Sequence, residues 1–166
     1  MMLYLVRHGI AVDVDGKAVT RDEERMLSPA GIKKIRAVAE GLKEMECVPA
    51  RIVSSPLVRA VETAELMAET LAPRVAVETA ECLAGHVSAA DTIAWLRKQP
   101  DQDTMLVGHM PHVADLAVHL LCNCRTVDVV FKKGAVCCLS FEGRVTAGHA
   151  RLEWLIQPGA LRRLGD

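Results

Sequence analysis

The chain has 166 residues, with 20 Lys+Arg against 21 Asp+Glu and a formal net charge of −1. At about 150 residues per domain, that length predicts a single domain over residues 1–166, large enough to hold its own core. Hydrophobic residues at 51% argue against disorder, while the balanced charge and 3% aromatic content argue against a nucleic-acid binder, which needs basic and stacking surfaces.

No segment approaches the run of about 18 apolar residues that spans a bilayer. The opening Met-Met-Leu-Tyr-Leu-Val meets Arg7 and His8 without the basic lead of a signal peptide. The expectation is a cytoplasmic protein with no membrane partner and with six reduced cysteines. Cys122 and Cys124 are too close for a zinc knuckle, and no Cys-x-x-Cys occurs. Cys137 and Cys138 are adjacent, so a strand would turn them to opposite faces. The charge balance and modest core point to a monomer.

Residues 2–6 form a short apolar run that predicts a buried strand, ended by Arg7-His8-Gly9. Residues 9–27, rich in charge and including Asp13, Asp15, Gly16 and Asp22, predict a long surface loop. Ser28-Pro29 predicts a helix start, with Ile32, Ile35, Val38, Leu42 and Met45 at helical spacing and an end near Cys47. Residues 51–54 predict a second strand, and Pro56 opens a helix carrying Leu57, Val61, Ala64, Met67 and Leu71. A short strand over 75–77 follows, then a helix capped by Ser88 with Asp91. Residues 104–107 predict a strand stopping at Gly108-His109, and Pro111 opens a helix through Leu121. The tail predicts strands over 127–131, 135–141 and 152–156, joined tightly enough for antiparallel pairing. The fold class is therefore α/β: three layers, a mostly parallel sheet and an antiparallel edge.

Three turns carry the chemistry. Arg7-His8-Gly9, Ser54-Ser55-Pro56-Leu57-Val58-Arg59 and Gly108-His109-Met110-Pro111 each follow a predicted strand. Parallel strands would bring them to one sheet edge, where ligands of open α/β sheets bind. The cargo delivered there is Arg7, His8, Arg59 and His109, with Gly9 permitting close backbone approach. Guanidinium forks match phosphate oxygens, and helix N-termini add positive dipole. Neither a Gly-x-x-x-x-Gly-Lys-Ser/Thr loop nor a Gly-x-Gly-x-x-Gly occurs, and no carboxylate cluster beside these turns would hold a metal. A neutral imidazole in such a site can serve as nucleophile toward phosphorus.

Leu5-Val6-Arg7-His8-Gly9 resembles the signature of the histidine phosphatase superfamily, also called phosphoglycerate-mutase-like. Ser54-Ser55-Pro56-Leu57-x-Arg59-Ala60-x-x-Thr63 and Val107-Gly108-His109-x-Pro111 are similar to its second and third motifs, in the family's order. Asp22-x-x-Arg25-x-Leu27-Ser28-x-x-Gly31 resembles the segment after the first motif in compact SixA-type phosphohistidine phosphatases. The resemblance implies a phosphoglycerate-mutase-like fold and a hydrolase without metal or cofactor. It implies His8 as phosphoryl acceptor, with Arg7, Arg59 and His109 around the phosphate. Gly9, Arg25 and Ser55 would contact the substrate, although Arg25 is equally placed for a salt bridge to Asp22 or Glu24. Glu81 stands where ester-cleaving members keep their acid. The implied partner is a phosphohistidine-bearing domain of a signalling protein. The alternatives are a phosphatase of small phosphomonoesters and a non-catalytic phosphate-binding module.

Overall fold

A computed structural model describes residues 1–13, 21–122 and 127–165; Asp15, Gly16 and Cys124 lie outside the described residues. The elements in chain order are β1 (Met2–Arg7), α1 (Pro29–Glu44), β2 (Arg51–Ser54), α2 (Val58–Leu71) and β3 (Val77–Thr79). They continue with α3 (Ala89–Leu96), β4 (Thr104–Gly108), α4 (His112–Cys122), β5 (Val136–Ser140), β6 (Arg151–Ile156) and α5 (Pro158–Leu164). Short 3₁₀ turns cover Asp22–Glu24 and Glu81–Leu83.

The strands form one sheet in the order β3-β2-β4-β1-β5-β6. Pairs β2–β3, β2–β4 and β1–β4 are parallel, and β1–β5 and β5–β6 are antiparallel. The predicted α/β class with an antiparallel edge is what is found. Both faces of the central strands are buried. Tyr4, Val6, Ile52, Met105 and Cys138 pack on one side with Ile35, Val38, Leu42, Met67 and Leu161 of α1, α2 and α5. Leu3, Leu5, Val53, Leu106 and Cys137 pack on the other with Ile93, Leu96, Leu116 and Leu120 of α3 and α4. Cys137 and Cys138 thus face opposite layers, and burial pushes both thiols up to about 12.

Local start signals hold. The Ser28 hydroxyl accepts from the Gly31 N–H at 3.0 Å, and the Ser88 hydroxyl accepts from the Asp91 N–H at 3.1 Å. Helix α1 ends at Glu44 rather than near Cys47, and α2 begins at Val58, two residues after Pro56. Strand β3 runs over Val77–Thr79 rather than 75–77, because the Val75 N–H closes a turn onto the Ala72 carbonyl and pairing with β2 starts only at Val77.

Two parts of the tail differ from expectation. Residues 127–131 form no strand. Both sides of β5 are taken by β1 and β6, and the Val130 carbonyl accepts from the Gln157 side chain at 2.7 Å instead of a ladder partner. Phe131 alone anchors that stretch, 1% exposed, while Val127 and Val130 stand in solvent. The chain also closes on helix α5, which the sequence reading leaves out. Its Leu161 is fully buried against α1.

Gly41 on α1 permits that closure, since a Cβ there would collide with the Leu161 carbonyl. Glycine to alanine inside a helix ordinarily stabilises by roughly 0.5–1 kcal/mol. At this position the sign reverses. Gly41→Ala is expected to destabilise the protein by about 1–3 kcal/mol, read as a lower urea midpoint at unchanged slope.

Candidate active site

The parallel strands β2, β4 and β1 end side by side, with Arg7 level with Gly108 and Ser54 level with Val107. The ladder runs one bond further on each side. The His8 N–H donates to the Gly108 carbonyl at 3.0 Å, and the Ser55 N–H to the Val107 carbonyl at 2.9 Å. The three turns are therefore locked to one another by backbone. His8 and His109 lie with ring centroids 4.9 Å apart at 51°. Both rings and Arg59 are buried, 7% exposed for His8 and Arg59 and 5% for His109.

His8 has a fixed tautomer. Its Nδ1 lies 2.7 Å from the Gly9 carbonyl, which can only accept, so Nδ1 carries the proton and Nε2 keeps its lone pair. Gly9 is held in turn by its N–H, which donates to Thr63 Oγ1 at 3.0 Å, while that hydroxyl donates to the Arg59 carbonyl at 2.6 Å. A Cβ on Gly9 would meet Ile35 Cγ1 at 2.7 Å, so the close approach this glycine allows is to α1.

Ser55 Oγ lies 2.8 Å from His109 Nε2 and also accepts from the Leu57 N–H at 3.4 Å. A hydroxyl can donate one such bond and accept two, so this contact fits either tautomer of His109 and leaves its Nδ1 turned the other way. That Nδ1 is buried without a partner among the described residues. So is Nε of Arg7, whose other arm donates to the Phe131 carbonyl at 2.6 Å. Buried polar atoms are almost always paired; with His112 Nδ1, behind His109, also lacking a partner among the described residues, the unpaired Arg7 Nε and His109 Nδ1 at these strand ends mark where a ligand's polar atoms belong.

Arg59 sits at the N-terminus of α2, an unfavourable place for a cation by itself. Asp22 compensates: its backbone carbonyl accepts from Arg59 at 2.6 Å and its carboxylate at 2.8 Å. The same carboxylate takes Arg25 at 2.9 Å, and Arg25 also reaches the Val12 carbonyl at 2.7 Å and Asp13 at 3.7 Å. The ion-pair use of Arg25 is the one the structure displays. Arg25 and Arg59 together hold the Asp22 carboxyl below the usual carboxylate range. The Asp22–Arg59 pair is absent from the sequence reading because 37 positions separate the partners. Thr63, read only as part of a motif, proves to be the link between Arg59 and Gly9.

Glu81 opens the 3₁₀ turn after β3 and is exposed, its side chain without a hydrogen bond or ion pair among the described residues. His112 is 2% exposed, with Nε2 2.9 Å from the Thr92 hydroxyl. That hydroxyl donates to the Cys82 carbonyl at 2.7 Å, so His112 serves the packing of α3 and α4 behind His109.

Electrostatics keep both site imidazoles neutral. Burial chiefly, aided by His109, Arg59 and Arg7, lowers His8 to about 3. Burial, then Arg59 and His112, lowers His109 to about 4. On unfolding, both rings protonate near their ordinary 6.5. The unfolded state then binds more protons than the folded one below that pH, so stability is full above about 6.5 and falls as pH drops toward 4. The expected result is a urea midpoint that declines from pH 7 to pH 4.5, and declines less in His8→Asn. NMR should show the His8 and His109 ring signals unmoved from pH 8 to pH 5.

The pattern of the histidine phosphatase superfamily (branch 1) matches residues 3–113. An uncharacterised protein of Picosynechococcus sp. is 36% identical over 121 residues, 70% of this chain and 71% of that protein. Among solved structures, the protein histidine phosphatase SixA complexed with tungstate is similar at TM-score 0.82 and 24% identity, covering 97% of this chain and 99% of that one. A putative phosphohistidine phosphatase SixA from Agrobacterium tumefaciens follows at 0.76 and 18%, covering 95% and 97%. A phosphoserine phosphatase from Entamoeba histolytica, in complex with 3-phosphoglyceric acid, stands at 0.67 and 17%, covering 93% and 95%. The locked strand ends, the fixed His8 tautomer and the matching pattern agree: this chain belongs to the histidine phosphatase superfamily, phosphatases that work through a histidine.

Proposed function

We propose that this phosphatase removes the phosphoryl group from phosphohistidine on a protein, without a metal, through a phosphoryl group carried on His8. The observation that carries the reading is the His8 ring itself. Its Nδ1 is committed to the Gly9 carbonyl, its Nε2 has no hydrogen-bond partner among the described residues, and burial, aided by the nearby cations, holds it neutral. Neutral Nε2 attacks phosphorus and the P–N bond to the substrate ring breaks; that ring, protonated on its other nitrogen, takes the electron pair and departs as neutral imidazole. Charge on the three transferring oxygens is met by Arg7, by Arg59 and by His109. Water then attacks the phosphorus on His8, returning the ring and releasing phosphate.

Two features favour a phosphoramidate over an ester. Alkoxide departure calls for a proton donor. The carboxylate bonded to Arg59 is Asp22, which two arginines keep ionised and so unable to donate. An imidazole already protonated on its other nitrogen leaves as a neutral ring without such help, and the reading gives Glu81 no task. The frame is also compact: a single 3₁₀ turn lies between β3 and α3, which leaves room for a protein surface to approach. SixA, described as a protein histidine phosphatase, shares that frame almost end to end.

The test is phosphate release in excess EDTA from a phosphohistidine protein and an aryl phosphate side by side. Fast release from the first and little from the second is expected. His8→Asn should lower turnover about a thousandfold or more, and Arg59→Ala about a hundredfold. Faster ester cleavage would move the function to small phosphomonoesters and bring Glu81 forward as the acid. Phosphate binding with no release from either substrate would leave a binding module.

A further inference from the structure

A cationic trough leads away from the site. A cavity of about 340 Å³ begins at Arg7 and Gly9 and is lined by Lys34 of α1, Lys132 and Lys133 of the turn before β5, and Arg162 of α5. A second cavity of about 490 Å³ shares Lys34 and Arg162 and adds Lys33 and Arg163. Among the described residues no carboxylate lines either one. None of these lysines and arginines makes an ion pair among the described residues, whereas Arg36, Lys43, Arg51 and Arg151 elsewhere each pair with a glutamate. The whole chain has a formal net charge of −1, so positive charge is concentrated here and the remaining surface is net acidic.

The trough differs in kind from the site beside it. Around His8 the donors are buried and convergent, as a small anion needs. Along the trough Lys33, Lys34, Lys132, Lys133 and Arg163 are exposed on flexible stems, over a floor of Ile10, Ile35, Val38 and Pro158. Its α1 wall runs from Ala30 to Val38, roughly 12 Å of helix, beyond the reach of one small substrate held on His8. Diffuse exposed charge of this extent complements another macromolecular surface, steering its approach and fixing its orientation.

We propose that the trough formed by α1, the 132–134 turn and α5 docks an acidic surface flanking the phosphohistidine of the protein substrate, selecting phosphohistidines that have carboxylates on the chain beside them. This rests on the phosphohistidine reading above and names the class of protein that site serves. Arg7 belongs to both regions, so a substrate whose phosphoryl group reaches His8 lays its neighbouring chain along the lysines. The interaction is electrostatic between exposed groups and is screened by salt.

The experiment uses three synthetic phosphohistidine peptides of equal length, flanked by glutamate, glutamine or lysine, with phosphoramidate as the small reference substrate. At low ionic strength kcat/KM is expected to be about tenfold higher for the glutamate than for the glutamine peptide, and lowest for the lysine peptide. The glutamate preference should fade in 0.5 M salt (about a 4 Å screening length). The double variant Lys34→Gln, Arg162→Gln should lose it while turning over phosphoramidate at the parent rate, which also shows that the variant is folded. Equal turnover of all three peptides by the parent overturns the docking proposal and leaves the phosphohistidine function standing. Failure on every peptide and on phosphoramidate overturns the function itself. If flanking charge is without effect and pyrophosphate inhibits far better than phosphate, the trough is a small-polyanion subsite and the docking proposal is again overturned.

Discussion

Everything at this site depends on the parallel backbone ladder of β2, β4 and β1 continuing one hydrogen bond past the strands. The His8 and Ser55 amides donate to the carbonyls of Gly108 and Val107, the two residues before His109. Those bonds set three turns at one height. No side chain of the site could hold its neighbours so closely by itself, since each sits on a separate strand end and approaches from a different loop. Buried hydrophobic side chains on both faces of these strands make the ladder rigid. Gly9 and Gly41 then let α1 settle against the site and against α5. Packing fixes the frame and backbone fixes the site; the chemistry is left to a few side chains with unspent hydrogen-bonding capacity.

Charge is the second constraint, and the site meets it with a shared anion. Arg59, buried at a helix N-terminus, would be destabilising there without Asp22. Asp22 also satisfies Arg25, so one carboxylate orders two guanidiniums and ties the 3₁₀ turn at residues 22–24 to α2. The cost is that this carboxylate is unable to act as an acid.

Much of this was legible in the sequence, and the boundary follows interaction range. The three strand–turn motifs could be read because each is local, and so could the Ser28 and Ser88 caps. What escaped depends on contacts far along the chain. Asp22 meets Arg59 across 37 positions. Residues 127–131 have a strand-like apolar pattern, but both sides of β5 are taken by β1 and β6, and Gln157 takes a backbone carbonyl there. Helix α5 is too short to announce itself by periodicity and exists because Gly41 leaves room for Leu161. Glu81 and Arg25 show the same limit from the other side: sequence position alone left open whether each serves the substrate or the surface.

Burial of the His8 ring is the chief cause of its lowered basicity, and His109, Arg59 and Arg7 add to it. The same packing that seats the ring beside Arg59 and His109 therefore holds it neutral, and the bond from Nδ1–H to the Gly9 carbonyl fixes which nitrogen keeps its lone pair. On the proposed function that nitrogen is the one presented to phosphorus, and the Gly9 carbonyl would meet the positive charge that builds on the ring as it bonds phosphorus.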